Sequence, residues 1–229
     1  MGNNPYPELS DAEIEELAND FYLDYLGHNQ SEPAPPKLPV PVEEIAEQFL
    51  GYEIDFSETG IFSDPDILGG IDFDRNRIYV NASVADHDGR YSFTVAHELG
   101  HHVLHREHHL QRQSTDDGGI LCRVKGKKPQ IEMEADRFAA ALLIPANNVS
   151  KAVAGKARKI GTIGQARVLA NDLITKSGFC NVSNSAMINR LKDLGLLAPG
   201  IPYQGAKARK TYGPPSTLAF LKRLISKFR

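Results

Sequence analysis

Apolar positions along this chain fall into helical and alternating patterns separated by turn signals. Ile14, Leu17, Ala18, Phe21, Tyr22 and Tyr25 keep a helical period as far as Gly27, and Ser10 followed by Glu13 is a capping box at its start. Pro41 opens a short helix with Val42, Ile45, Ala46 and Phe49 inward and Gly51 as its stop. Three alternating segments follow, Tyr52 to Phe56, Leu68 to Asp74 and Arg77 to Asn81. The last two flank Asp74-Arg75-Asn76, a hairpin signal, which predicts a small, largely antiparallel sheet.

The helical period returns from about Gly89 to His105. From Arg106 to Gln130 it is lost, and Asp116-Asp117-Gly118-Gly119 and Gly126-Lys127-Lys128-Pro129 mark turns, so a long loop is expected there, with one strand around Ile120 to Val124. Glu132 to Leu143 reads as an Ala-rich helix closed by Pro145. Thr162 to Lys176 and Ser183 to Leu194 read as two more, each followed by a glycine. After Pro214-Pro215, Leu218, Leu221, Leu224, Ile225 and Phe228 predict a basic amphipathic helix. The fold class is therefore α+β, a small sheet packed on helices and followed by a helical, helix-turn-helix-like region.

Composition narrows the class without choosing a chemistry. The 229 residues are 41% hydrophobic and 24% charged, as in ordinary globular proteins. No apolar run reaches the roughly 20 residues a membrane span needs. Met1 to Ser10 is polar and unlike a signal peptide, and Cys122 and Cys180 form no Cys-x-x-Cys pair, so a reducing cytoplasm is the expectation. Charge is uneven: residues 1–60 carry fourteen Asp and Glu against Lys37 alone, and after Asp193 there are seven Lys and Arg and no acid. Such a basic tail can meet nucleic acid or pair with the chain's own acidic segment.

The chemistry lies in His97-Glu98-Leu99-Gly100-His101. On a helix, positions i and i+4 share a face, so His97 and His101 can hold one metal ion while Glu98 takes a proton from a water bound to it. Tetrahedral zinc then needs a third ligand and an open position. Glu132 and Asp136, again i and i+4 beside the stripe Ile131, Ala135, Phe138, Ala139 and Leu142, are the best source. One carboxylate can bind the metal and the other can accept a ligand histidine's free ring N–H. Glu134 projects about a third of the way round that helix and fits less well. Zinc suits two imidazoles and a carboxylate, and manganese or cobalt are also admitted. For the oxyanion, Tyr91, His102, His105 and His108 are candidates, and Cys122 could approach the metal as a thiolate.

His-Glu-Leu-Gly-His-x-x-Leu-His followed by Glu-x-Glu-Ala-Asp-x-Phe-Ala-x-x-Leu-Leu-Ile-Pro resembles the ImmA/IrrE family of zinc metallopeptidases. Val182-Ser183-x-x-Ala186-x-x-x-Arg190-Leu191-x-x-Leu194-Gly195-Leu196 resembles its downstream pattern, and the likeness runs over about residues 40–198. The resemblance implies metal ligands at His97, His101 and Glu132 and Glu98 as general base, which leaves Asp136 as the carboxylate behind a ligand. It also implies a cytoplasmic endopeptidase that cuts a separate helix-turn-helix repressor. The organisation that follows is an N-terminal helix and Pro-rich strap (1–39), a metallopeptidase core (40–160), a helical subdomain (161–198) and a basic tail (199–229). Two other classes remain in view. One is a DNA-binding regulator with a structural metal, reading DNA through Asn184, Ser185, Asn189 and Arg190. The other is a metal-dependent toxin or binder that sequesters its partner uncut.

Overall fold

The computed structural model describes residues 8–28, 36–57, 67–84, 87–113, 121–122, 129–154 and 160–204, the side chains of Ser57, 108–113 and 121–122 excepted. The predicted helix after Pro215, the turn at 116–119 and the tail beyond Gln204 lie outside these residues, as do the side chains of His108 and Cys122. Among the described residues the architecture is mixed α+β, and the chain divides into two compact units, Met1–Leu143 and Ile144–Arg229. No described helix is long and apolar enough to cross a membrane.

The first unit begins with α1 (Asp11–Gly27), whose capping box forms as the sequence predicts. Ser10 Oγ accepts from Glu13 N, and Glu13 Oε2 accepts in return from Ser10 N at 2.8 Å. Ile14, Ala18, Phe21, Tyr22 and Tyr25 turn inward, whereas Leu17 is 38% exposed. The short helix α2 (Val42–Glu44) continues as a π-helical turn, Ile45–Phe49, and stops at Gly51, where φ of +74° suits a residue without Cβ.

Strands β1 (Glu53–Ser57), β2 (Gly69–Asp72), β3 (Arg77–Asn81) and β4 (Leu121–Cys122) form one sheet in the order β1-β3-β2-β4. The predicted hairpin is β2–β3; Asp72 Oδ1 closes its turn by accepting from the Asp74 and Arg75 amides, and Asn76 takes a left-handed φ of +49°. β4 is also antiparallel to β2, but β1 runs parallel to β3. That pairing joins segments separated by β2 and is not encoded in either strand's alternation.

Helix α3 (Asp88–Gln113) runs two turns beyond the predicted end at His105. The extension lacks an apolar stripe but is built of residues compatible with helix, so propensity carries what periodicity misses. It packs on α4 (Gln130–Leu143) through Gly100: a Cβ there would lie 3.1 Å from Ala135 Cα and 3.2 Å from its carbonyl oxygen. α1 covers the other side of α4, with Phe21 and Phe138 ring centroids 5.8 Å apart and Arg137 paired to Asp11 at 2.8 Å. The N-terminal helix is therefore part of the core of this unit.

The second unit holds α5 (Ala146–Val153), α6 (Ile163–Lys176) and α7 (Asn184–Asp193). The first of these was not expected, because Pro145 was read as a stop; it sits instead at the N-cap, where its fixed φ and missing N–H cost nothing. Thr162 and Ser183 cap the other two helices with their side chains. Arg190 is 5% exposed and its Nε donates to the Ile144 carbonyl at 2.9 Å. Asn189 exchanges two hydrogen bonds with the Gln204 backbone, and Asn184 donates to the Arg167 carbonyl. Three of the four side chains proposed to read DNA are thus engaged inside this unit.

Candidate metal centre

His97 and His101 lie one turn apart on α3, and Glu132 lies in the first turn of α4; all three are buried. Because Gly100 lets the helices approach closely, their polar atoms meet. His97 Nε2 and His101 Nε2 are 3.1 Å apart, and Glu132 oxygens lie 3.2 Å from His101 Nε2 and 3.4 Å from His97 Nε2. Among the described residues this is the one cluster whose donor atoms could hold a metal ion.

The donor set fits a divalent cation. Ligands about 2.0–2.1 Å from a tetrahedral zinc lie about 3.3–3.4 Å from one another, close to the 3.1 Å between the two Nε2 atoms and to the 3.2 and 3.4 Å at which the two Glu132 oxygens approach them. The ring tautomers agree. His97 Nδ1 is 3.0 Å from Asp136 Oδ1, an acceptor, so Nδ1 carries the proton and Nε2 faces the cluster. Buried Glu132 Oε2 has His97 Nε2 at 3.4 Å, too long for a good hydrogen bond, so it is a poorly satisfied acceptor. Four buried carboxylates, Glu98, Glu132, Glu134 and Asp136, surround the histidines, and buried negative charge calls for a compensating cation.

Titration follows the same geometry. Burial pushes the His101 ring down to about 4 against the opposing pull of Glu132, so it is neutral at pH 7. Burial also acts downward on His97, but the hydrogen bonds to Asp136 and Glu132 and the charge of Glu98 outweigh it and hold the ring up at about 9. For Glu132 burial acts upward, yet the bonds from His101 and His97 keep it well below the usual carboxylate range. In the metal-free chain, then, a proton on His97 answers the acidic cluster.

Glu98 is 3% exposed and lies against β2. A Cβ on Gly69 would stand 3.0 Å from Glu98 Oε1 and 2.6 Å from Thr94 Cγ2, so strand and carboxylate approach this closely only because residue 69 has no side chain. Of the oxyanion candidates, Tyr91 donates to Glu43, His102 shares a 2.8 Å hydrogen bond with the Tyr52 hydroxyl, and His105 sits between His101 and Glu134. All three side chains are engaged within the protein.

Glu132 thus lies beside the two Nε2 atoms and Asp136 beside His97 Nδ1. Glu134, set aside in the sequence for its angle on the helix, is 1% exposed and bonded to His105. The signal for it was His105 itself, one turn beyond His101 on the same face.

No curated protein matches the chain. Residues 62–170 match the family model described as the IrrE N-terminal-like domain, a peptidase family. The matched stretch is narrower than the 40–198 over which the motifs run, and it contains the whole cluster from Gly69 to Asp136. Over that stretch the chain resembles the ImmA/IrrE family, with a metallopeptidase-like function of that type.

Proposed function

We propose that this chain is a zinc-dependent endopeptidase that cuts a peptide bond in a helix-turn-helix repressor, with Glu98 as its general base. The observation that carries the reading is the convergence of two imidazole Nε2 atoms and one carboxylate within 3.1–3.4 Å, beside a second buried carboxylate that is not one of the three. His97, His101 and Glu132 would hold the cation. When bound, it would lower the pKa of a coordinated water and polarise the scissile carbonyl. Glu98, kept in place by the approach of β2 at Gly69, accepts the proton of the attacking water and returns it to the leaving amine. Asp136 accepts the His97 Nδ1–H and so keeps Nε2 turned to the centre.

The repressor as substrate rests on the family resemblance. The test is to incubate the zinc-loaded chain with the DNA-binding repressor encoded beside its gene and follow fragments by mass spectrometry. The reading expects fragments that disappear with EDTA and with Glu98→Gln. Cutting by Glu98→Gln at the parent's rate would remove Glu98 from the mechanism, and metal-dependent binding without fragments would favour sequestration.

A further inference from the structure

The second histidine of the centre has an outer support unlike that of the first. His97 is held by Asp136 directly. His101 Nδ1 instead faces His105 Nδ1 at 3.0 Å, and His105 Nε2 faces Glu134 Oε2 at 3.1 Å. The other oxygen of Glu134 accepts from Gln130 Nε2 at 2.7 Å and from the Leu9 amide at 3.1 Å. Every ring and carboxylate in this chain of contacts is buried, at 1% exposure for His101, His105 and Glu134.

With both rings neutral and His101 Nε2 turned to a metal, one arrangement of protons satisfies it. A carboxylate bonded to two N–H donors through one oxygen offers its other oxygen as an acceptor, so His105 Nε2 must carry the hydrogen. In the neutral ring His105 Nδ1 is then a bare acceptor, and His101 must donate from Nδ1. That leaves the lone pair of His101 on Nε2, the atom that faces His97 Nε2 and Glu132. The direction of each hydrogen bond is fixed from the outside inward.

We propose that Glu134 and His105 are positioning residues that set the tautomer and orientation of His101, with the start of the N-terminal helix anchoring the outer end through Leu9. The proposal rests on the metal-centre reading above and deepens it. It assigns a role to Leu9, which lies outside the stretch that resembles the family.

Glu134→Gln tests the logic with little change of shape. If its amide oxygen stays toward Leu9 and Gln130, its NH2 faces His105 Nε2. His105 must then accept there and donate from Nδ1, so His101 becomes protonated on Nε2. If the amide is turned over, its NH2 meets two other donors. Either orientation breaks the pattern. His105→Phe removes the link while keeping a ring of similar bulk.

The experiment measures zinc affinity by competition with a chromophoric chelator, and the ring tautomers by long-range 1H–15N correlation of histidine-labelled protein, zinc-loaded and metal-free. Parent protein is expected to show His105 protonated on Nε2 and His101 on Nδ1. Both variants should bind zinc about 10–100-fold more weakly, as losses behind a ligand do, and the double variant no more weakly than the singles. His105 protonated on Nδ1 in the parent would overturn the proposal even if neither variant folded. So would folded variants whose zinc affinity stays within about twofold of the parent. Failure of the parent to bind zinc at all would count against the metal centre itself, a separate outcome, since the His105 tautomer is also read without metal.

Discussion

Gly100→Ala places one methyl group at the contact that brings the two halves of the metal centre together. Built on the existing backbone, its Cβ lies 3.1 Å from Ala135 Cα, 3.2 Å from the Ala135 oxygen and 3.2 Å from Phe138 Cβ. Ordinary carbon contacts are about 3.5–4.0 Å, so α3 and α4 must separate by roughly 0.4 Å at that point. Two of the three neighbours are backbone and cannot rotate away. Glu132 lies one turn from Ala135 and moves with α4, so its separations of 3.2 and 3.4 Å from the histidine nitrogens grow by a similar amount. Metal–ligand distances tolerate roughly 0.2 Å, so zinc affinity should fall about tenfold or more, the equivalent of about 1.4 kcal/mol. Stability carries two opposed effects: replacing a helical glycine by alanine gains about 1 kcal/mol, and overpacking costs about 1–3 kcal/mol. Chelator competition at fixed pH reads the first quantity and thermal melting of the metal-free protein the second. Zinc affinity within about twofold of the parent, together with a raised melting temperature, would show that the helices are not held at hard contact and would refute the reasoning.

Other outcomes follow from the same geometry. Gly69→Ala, whose Cβ would press on Glu98 Oε1 and Thr94 Cγ2, should leave zinc affinity near the parent's yet slow peptide hydrolysis about 100-fold by displacing the general base; loss of zinc instead would place Gly69 in the metal cluster. His97, held up at about 9, is protonated at neutral pH in the metal-free chain. Zinc binding there should release about one proton, and affinity should rise with pH until His97 deprotonates unaided; calorimetry in buffers of different ionisation enthalpy measures this, and a flat pH profile would contradict it. Arg190→Ala should destabilise the second unit by about 1.5–3 kcal/mol in urea unfolding, because it orphans the Ile144 carbonyl and removes a buried charge-assisted bond; an unchanged midpoint would mean that the contact contributes nothing.

What could be read from the sequence and what could not separate along physical lines. Local signals were dependable: the Ser10–Glu13 box, the Asp74-Arg75-Asn76 turn and the glycine stops each act within a few residues. His97 and His101 were legible because helical spacing alone brings them to one face, and Glu98 because it follows the first histidine in the His-Glu-x-x-His pattern. Glu132 needed a partner helix, and the resemblance supplied the choice between it and Asp136 that spacing left open. The parallel β1–β3 pairing and the approach of Gly69 to Glu98 depend on contacts between distant segments, on which local patterns are silent. Glu134 escapes a reading aimed at the metal because its side chain bonds to His105 instead. The N-terminal helix lay outside every motif, yet Phe21, Asp11 and Leu9 all bear on α4.

The central claim is that His97, His101 and Glu132 form one metal site. Anomalous diffraction at the zinc edge, from crystals of the chain purified with zinc, tests it most directly. The account predicts a single strong peak about 2.0–2.2 Å from His97 Nε2, His101 Nε2 and a Glu132 oxygen, abolished in Glu132→Ala. A peak at any other residues, or none between these three, would contradict it.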